Sequence, residues 1–290
     1  MKEFTVSQAE AGMRLDVFVA TMYPDFTRSS LEALFDKELV QVNKSTAKPS
    51  YKVRASDVIR VDETLLKAEP AAISLPIIYE DDDVVVINKP DGILSHSKGA
   101  LNLEGSVASF IKPKLTDKNL TGNRAGIVHR LDRHTSGVII TARSETAQKW
   151  LQKQFSTRKV KKSYVAIVEG TLEPDKALID APIARNPKKP QTFAVSPLGR
   201  PAQTEYETLR PIIKNGKHYT LVGLMPRTGR THQLRVHLAY IQHPIVGDNI
   251  YGRAGPKLLL HAKSLELTLP DRHRKVFSAA IPDKIEGFDG

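Results

Sequence analysis

The sequence predicts an α+β protein in two parts: a small module of two helices and short strands, then a larger domain on a mixed, mainly antiparallel sheet with flanking helices. Two observations lead there. Beyond residue 77, β-branched strand-like runs outnumber helical patterns and do not alternate with them regularly, which favours a mixed sheet over a doubly wound one. Ahead of that point, a stretch with Pro70 and several alanines sets the larger domain apart from a short region with its own capping signals and apolar stripes. A chain of 290 residues has room for both, with boundaries at 1–65, a linker over 66–76, and 77–290.

In chain order, an apolar period predicts a first helix from 14 to about 22. Thr27 or Ser29 can cap a second helix; Ser29 followed by Glu32 fits a capping box, and Leu31, Leu34 and Phe35 form its buried stripe. Short strands follow around Val40 and Val42, ahead of Asn43, and around Val58, Ile59 and Val61, behind Asp57. In the larger domain the candidate strands are 84–87, 138–141, 164–168, 204–209 and 219–224. Ser144 can cap a helix that carries Ala147, Trp150, Leu151 and Phe155 on one side, and a further helix from near Thr231 buries Leu234, Leu238 and Ile241.

Composition narrows the chemistry. A formal charge of +11 attracts polyanions, either nucleic acid or an anionic membrane surface. No apolar run approaches the roughly 18 to 20 residues of a spanning helix, and the first residues lack a signal-like apolar region, so no membrane association and a cytoplasmic location are expected. The absence of cysteine excludes disulfides, thiolate zinc sites and cysteine nucleophiles.

Residues 126–137 read G-I-V-H-R-L-D-R-H-T-S-G, which packs His129, Arg130, Asp132, Arg133, His134, Thr135 and Ser136 between two apolar stretches. Such density beside a predicted strand suits a site, although an Asp between two arginines is also how a structural ion pair reads. The pattern H-R-L-D-x-x-T-S-G resembles the signature of the RluA-type pseudouridine synthases. Further stretches resemble that family in the same order: V-V-I-N-K-P-D-G from Val85, K-K-S-Y from Lys161, T-G-R-T-H-Q-L-R-V-H-L from Thr228, H-P-I-V-G-D from His243 and L-L-L-H-A from Leu258. The resemblance implies an isomerase of uridine in structured RNA, with no cofactor and no metal. It also implies Asp132 as the catalytic carboxylate, Arg235 as its paired arginine, Tyr164 as the active-site tyrosine, and Arg130 as the arginine that helps fill the space left by a flipped base. Arg230 is then a phosphate ligand.

The reaction explains these residue types. It breaks the bond from ribose C1′ to base N1, turns the base, and joins C1′ to C5. A carboxylate can attack C1′ or C6, or take a ribose proton, and leave again as a stable anion. A cation beside a carboxylate favours the ionised form. An aromatic face stacked on the detached uracil is worth about 1 to 3 kcal/mol. A duplex hides C1′, so the target must be flipped from its stack at a cost of a few kcal/mol. Arg158, Lys159, Lys161 and Lys162 form a basic run that can track the RNA backbone beside the expected pocket, although such a run is also an ordinary solvated face.

In the first module, R-L-D-x-F from Arg14, T-R-S-S-L from Thr27 and V-x-V-N from Val40 resemble the S4 RNA-binding domain, whose two helices present basic side chains to folded RNA. That implies Arg14, Arg28 and Lys37 as phosphate contacts. Where the family has a glycine ahead of the V-x-V-N strand, this chain has Glu38 and Leu39.

Rival readings fare worse. Histidines at 129, 134, 232, 237, 243 and 261 raise a metal hydrolase or ribonuclease, but His232 and His237 are five apart and diverge by about 140° on a helix. They read better as hydrogen-bonded structural groups. A methyltransferase lacks its G-x-G, and a zinc deaminase its cysteine ligands. The non-enzymatic rival is an S4-type RNA-binding or ribosome-assembly protein without activity, against which the intact motifs count. An S4 module on this core most resembles enzymes of large-subunit ribosomal RNA; transfer RNA is the alternative substrate, and a monomer is the default.

Overall fold

In the computed structural model, which describes residues 1–97, 101 and 103–288, the chain divides into two compact units. The first comprises Met1–Ile73, Ser97–Gly105 and Gly122–Arg124; the second comprises Ser74–His96, Ser106–Thr121 and Ala125–Gly290.

The first unit holds β1 (Lys2–Thr5), α1 (Leu15–Met22), α2 (Arg28–Asp36), β2 (Val40–Val42), β3 (Ser45–Thr46), β4 (Val58–Val61) and α3 (Thr64–Lys67). The strands form an antiparallel sheet in the order β1-β4-β2-β3. Phe18, Leu31, Leu34, Ile59 and Val61 are buried together, so the apolar stripes of both helices meet the inward faces of the strands. Thr27 caps α2: its backbone is extended and its hydroxyl accepts the Ser30 N–H. Ser29 lies inside the first turn, so the expected Ser29–Glu32 capping box does not form. At the other end of α2 the Leu39 N–H donates to Leu34 O at 2.8 Å and the Glu38 N–H to Phe35 O at 3.0 Å. This is a Schellman closure, and it puts Glu38 in the left-handed region at φ +56. Within the stretch read as a linker, Leu66 and Lys67 are helical and the Ala71 N–H donates to Leu103 O at 2.8 Å.

The second unit contains β5 (Ile77–Glu80), β6 (Val84–Lys89), α4 (Val107–Ile111), β7 (Ser136–Ala142), α5 (Glu145–Ser156), β8 (Lys161–Glu169), β9 (Lys176–Asp180), β10 (Ile183–Arg185), β11 (Phe193–Val195), β12 (Gln203–Lys214), β13 (Lys217–Pro226), α6 (Gln233–Tyr240), β14 (Leu260–Thr268), β15 (Arg274–Ser278) and α7 (Asp283–Glu286). Nine strands form one sheet in the order β5-β6-β7-β14-β8-β13-β12-β9, with β15 added to β14; β10 and β11 make a separate hairpin. β7 and β14 run parallel and the other strand pairs of this sheet are antiparallel. The mixed, mainly antiparallel sheet is therefore present, and among the described residues no helix is long and apolar enough to cross a membrane.

All seven residues of β7 are buried, the mark of a central strand covered on both faces. Where β7 meets β14, Gly137 has φ +110, and a Cβ built on it would lie 2.2 Å from Ala262 O. Only a glycine lets the two backbones approach this closely. Ser144 caps α5 by accepting the Ala147 N–H at 3.2 Å, and Ala147 and Leu151 pack on Val84, Val138 and Ile140. α6 lays Leu234 and Leu238 on Ala166, Val168, Val222 and Leu224, while the alternate β8 residues Val165 and Ile167 face the other side. The helix begins at Gln233, after His232, which takes a left-handed conformation at φ +56. The loop before β7, the start of β8, the β13–α6 loop and the start of β14 thereby converge.

Candidate active site

The loop that carries Asp132 is tied down residue by residue. Asp132 O accepts the Thr135 N–H at 3.1 Å, closing a turn. On one side, buried Ser95 takes both backbone groups of Leu131: its hydroxyl accepts the N–H at 3.0 Å and donates to the carbonyl at 2.8 Å. On the other side, Arg133 O accepts the Gly92 N–H at 2.9 Å and Lys89 Nζ at 3.0 Å. Lys89 is wholly buried and also donates to Pro90 O and Ile93 O, each at 2.8 Å. Three carbonyls match the three N–H bonds of an ammonium, while burial pulls the Lys89 pKa down to about 7.

Asp132 is half-buried and lines a cleft of about 530 Å³. Arg235, from α6, reaches it through Nη1, 3.5 Å from Oδ2. The tighter bonds of this arginine go elsewhere. Its Nε and Nη2 each donate at 2.7 Å to buried Asp248, whose Oδ1 also accepts the N–H groups of Ile250 and Tyr251. The guanidinium fork is thus locked on a second carboxylate, which aims the remaining nitrogen at Asp132. The sequence expectation paired Arg235 with Asp132 alone. Asp248 went unread although H-P-I-V-G-D contains it, because nothing in a linear pattern says which acid meets which arginine.

Strand alternation explains the next members. Lys162 and Tyr164, two apart on β8, both line the cleft, while Ala166 and Val168 of the same strand face lie in the core. Lys162 donates to Thr228 O at 3.0 Å, and burial lowers its pKa to about 8. Burial first, and the charge of Asp132 second, hold the Tyr164 phenol above its ordinary range, so it stays protonated in neutral solution. Lys161 points the other way and pairs with Glu266, opposite it on β14, at 3.4 Å. It stands outside the cleft. Arg130, Arg158 and Arg230 line it, Arg230 with its Nε on Pro201 O at 3.1 Å. With Lys162, Arg227 and Arg235, six basic side chains line the cleft around one acid and make it receptive to an anionic backbone.

The histidines separate into two kinds. His129 accepts the Ile140 N–H at 3.1 Å and stacks on Phe155 with centroids 4.5 Å apart, and burial pulls its pKa down to about 3. His237 is buried between Thr204 Oγ1 and Ala181 O. Both serve as internal struts. His232 is different: its Nε2 lies 3.9 Å from Asp132 Oδ2. It precedes α6, so helical spacing does not govern its direction, and its ring turns to the carboxylate.

In the first unit, Arg14 and Arg28 converge on one largely buried acid. Asp16 accepts Nη2 of Arg14 at 3.0 Å and Nη2 of Arg28 at 2.6 Å, so two half-exposed guanidinium groups are held side by side at the starts of α1 and α2. Lys37 is exposed at the end of α2.

Residues 83–240 match the sequence profile of the RNA pseudouridylate synthase family and residues 13–59 that of the S4 domain. An RNA pseudouridine synthase of Aquifex aeolicus is 40% identical over 86% of this chain and 79% of its own length. The ribosomal large subunit pseudouridine synthase D of Yersinia pestis is 34% identical over 96% and 90%. Among solved structures, human RNA pseudouridylate synthase domain containing 1 aligns with a TM-score of 0.60 and 26% identity, covering 75% of this chain and 87% of that one. A carboxylate on a braced loop, set in a basic cleft and carried on a sheet shared with these enzymes, has one consistent reading: the chain belongs to the RNA pseudouridylate synthase family.

Proposed function

We propose that the enzyme converts uridine to pseudouridine in large-subunit ribosomal RNA and that Asp132 is the carboxylate that acts on the nucleotide. The observation that carries the site assignment is the setting of that carboxylate: a loop pinned at Leu131 and Arg133 presents it to the cleft, with Oδ2 faced by Arg235. A catalytic acid that must engage a sugar or base carbon and then leave needs this fixed placement. Tyr164 stacks on the uracil while it is detached, and its protonated hydroxyl is available as a donor. Lys162, Arg158 and Arg230 take the flanking phosphates, and Arg130 supports the duplex from which the base has been withdrawn. Arg14 and Arg28, set by Asp16, give the first unit a fixed pair of phosphate donors, with Lys37 nearby in sequence at the end of α2. The ribosomal target is supported by the Yersinia pestis relative, which aligns across both units.

The test uses unmodified large-subunit ribosomal RNA and, in parallel, transfer RNA transcripts. Pseudouridine is mapped by carbodiimide block and primer extension after incubation with the native enzyme and with Asp132→Asn. A new stop in the ribosomal RNA that the variant fails to produce supports the proposal. A product made equally by the variant removes Asp132 from the reaction, and a product confined to transfer RNA overturns the target.

A further inference from the structure

The contact between His232 and Asp132 belongs to a chain of hydrogen bonds that fixes where the imidazole proton sits. Tyr251 Oη lies 2.8 Å from His232 Nδ1 and accepts the backbone N–H of Phe193, on β11, at 3.0 Å. With an incoming N–H already on its oxygen, the phenol directs its own proton to Nδ1. The neutral ring therefore carries its proton on Nε2, the nitrogen 3.9 Å from Asp132 Oδ2. Edge-on contacts with Phe193 at 5.7 Å and Tyr251 at 5.6 Å hold the ring plane. His232 has a left-handed backbone, a sparsely populated conformation for a residue with a side chain.

The charges around the ring come from three segments. Asp132 and Arg130 belong to the loop before β7, Arg235 to α6, and Asp248 with Tyr251 to the segment before β14; the β11 neighbour, Phe193, is uncharged. Burial dominates and lowers the His232 pKa, Arg235 and Arg130 act in the same direction, and Asp132 and Asp248 oppose them. The ring is thus kept as a neutral donor. Arg235 Nη1 and His232 Nε2 both make their contact with Asp132 at Oδ2.

We propose that His232, its tautomer set by Tyr251 and the Phe193 backbone, is a positioning residue that joins Arg235 in holding Oδ2 of Asp132 and so presents Oδ1 to the target nucleotide. This rests on Asp132 being the acting carboxylate. The separation of 3.9 Å shortens to hydrogen-bond reach once RNA fills the cleft, as catalytic contacts commonly do. A neutral donor orients the acid without adding a second cation that would blunt the oxygen left to react.

Tyr251→Phe is the decisive variant because it keeps the ring edge against His232 and the face under Arg235, whose Cζ is 5.2 Å from the ring centroid, and removes one hydroxyl. We expect kcat to fall about tenfold with KM for RNA within about twofold. The acid limb of the kcat profile should move to higher pH, since the neutral ring loses the donor that favours it. A second pair controls for packing: His232→Gln places an amide N–H near the old Nε2, whereas His232→Asn tolerates the left-handed backbone but is too short. Gln should retain activity to within about threefold and Asn should lose about tenfold or more. A Tyr251→Phe enzyme with native kcat and an unmoved profile overturns the inference, as do equal losses in Gln and Asn. Asp132→Asn runs alongside. If it still makes pseudouridine, the assignment of Asp132 fails and this inference with it; if it is inactive while Tyr251→Phe and His232→Asn are fully active, the role of His232 alone fails.

Discussion

Lys162 is a lysine of the cleft whose charge changes just above neutral pH. Its pKa is drawn down to about 8 by burial, so it is charged below that pH and loses its proton as pH rises through it. RNA affinity of the Asp132→Asn protein, measured by anisotropy at fixed salt, should weaken by roughly three- to tenfold between about pH 7 and pH 9. Lys162→Arg, permanently charged, should flatten that dependence. If both proteins show the same slope, another group titrates. At this scale the contiguous motifs singled out Asp132, Tyr164 and Arg235, which the structure brings to one cleft. Ser95, Lys89 and Asp248 carry equal structural weight and were not legible, because each acts through the partner it meets across the fold. Ser95 meets Leu131 across 36 residues, and Lys89 meets Arg133 across 44.

Elements with a strong internal signal were found and weakly patterned ones were not. β6, β7, β8 and the helices capped by Thr27 and Ser144 have an apolar run or a capping residue of their own. β1, β9 and β15 lie at sheet edges or off the main path, with exposed residues and little alternation to detect. The turn after α2 shows how one departure from a family pattern becomes a measurable cost. Glu38 occupies the left-handed position of a Schellman closure in which glycine is the usual residue. Glu38→Gly relieves that strain and should stabilise the first unit by about 0.5 to 1 kcal/mol, after allowance for the greater freedom of glycine in the unfolded chain. Urea denaturation followed by circular dichroism reads it; a loss of stability would show that the Glu38 side chain does more than occupy the turn.

Across the whole molecule the mixed sheet was legible from composition and pattern, but its one parallel junction was not, since β7 and β14 are far apart in sequence. Gly137→Ala would push a methyl group into Ala262 O and demand a backbone conformation that alanine rarely takes. The cost should exceed about 4 kcal/mol, a loss large enough to unfold the second unit, read as a lowered melting temperature and loss of pseudouridine formation. A melting curve like that of the native protein would mean that the two strands can part locally without harm.

The same junction sets a schedule for the living chain. Ser136 meets its buried partner His261 across 125 residues. When the ribosome has finished the loop bearing Asp132, the strand that seats it has yet to be made, and no local contact can substitute for a pairing so distant. A nascent chain halted before Leu260 will carry every candidate catalytic side chain and make no pseudouridine. Competence waits for β14, well after the last residues of the first unit have been made.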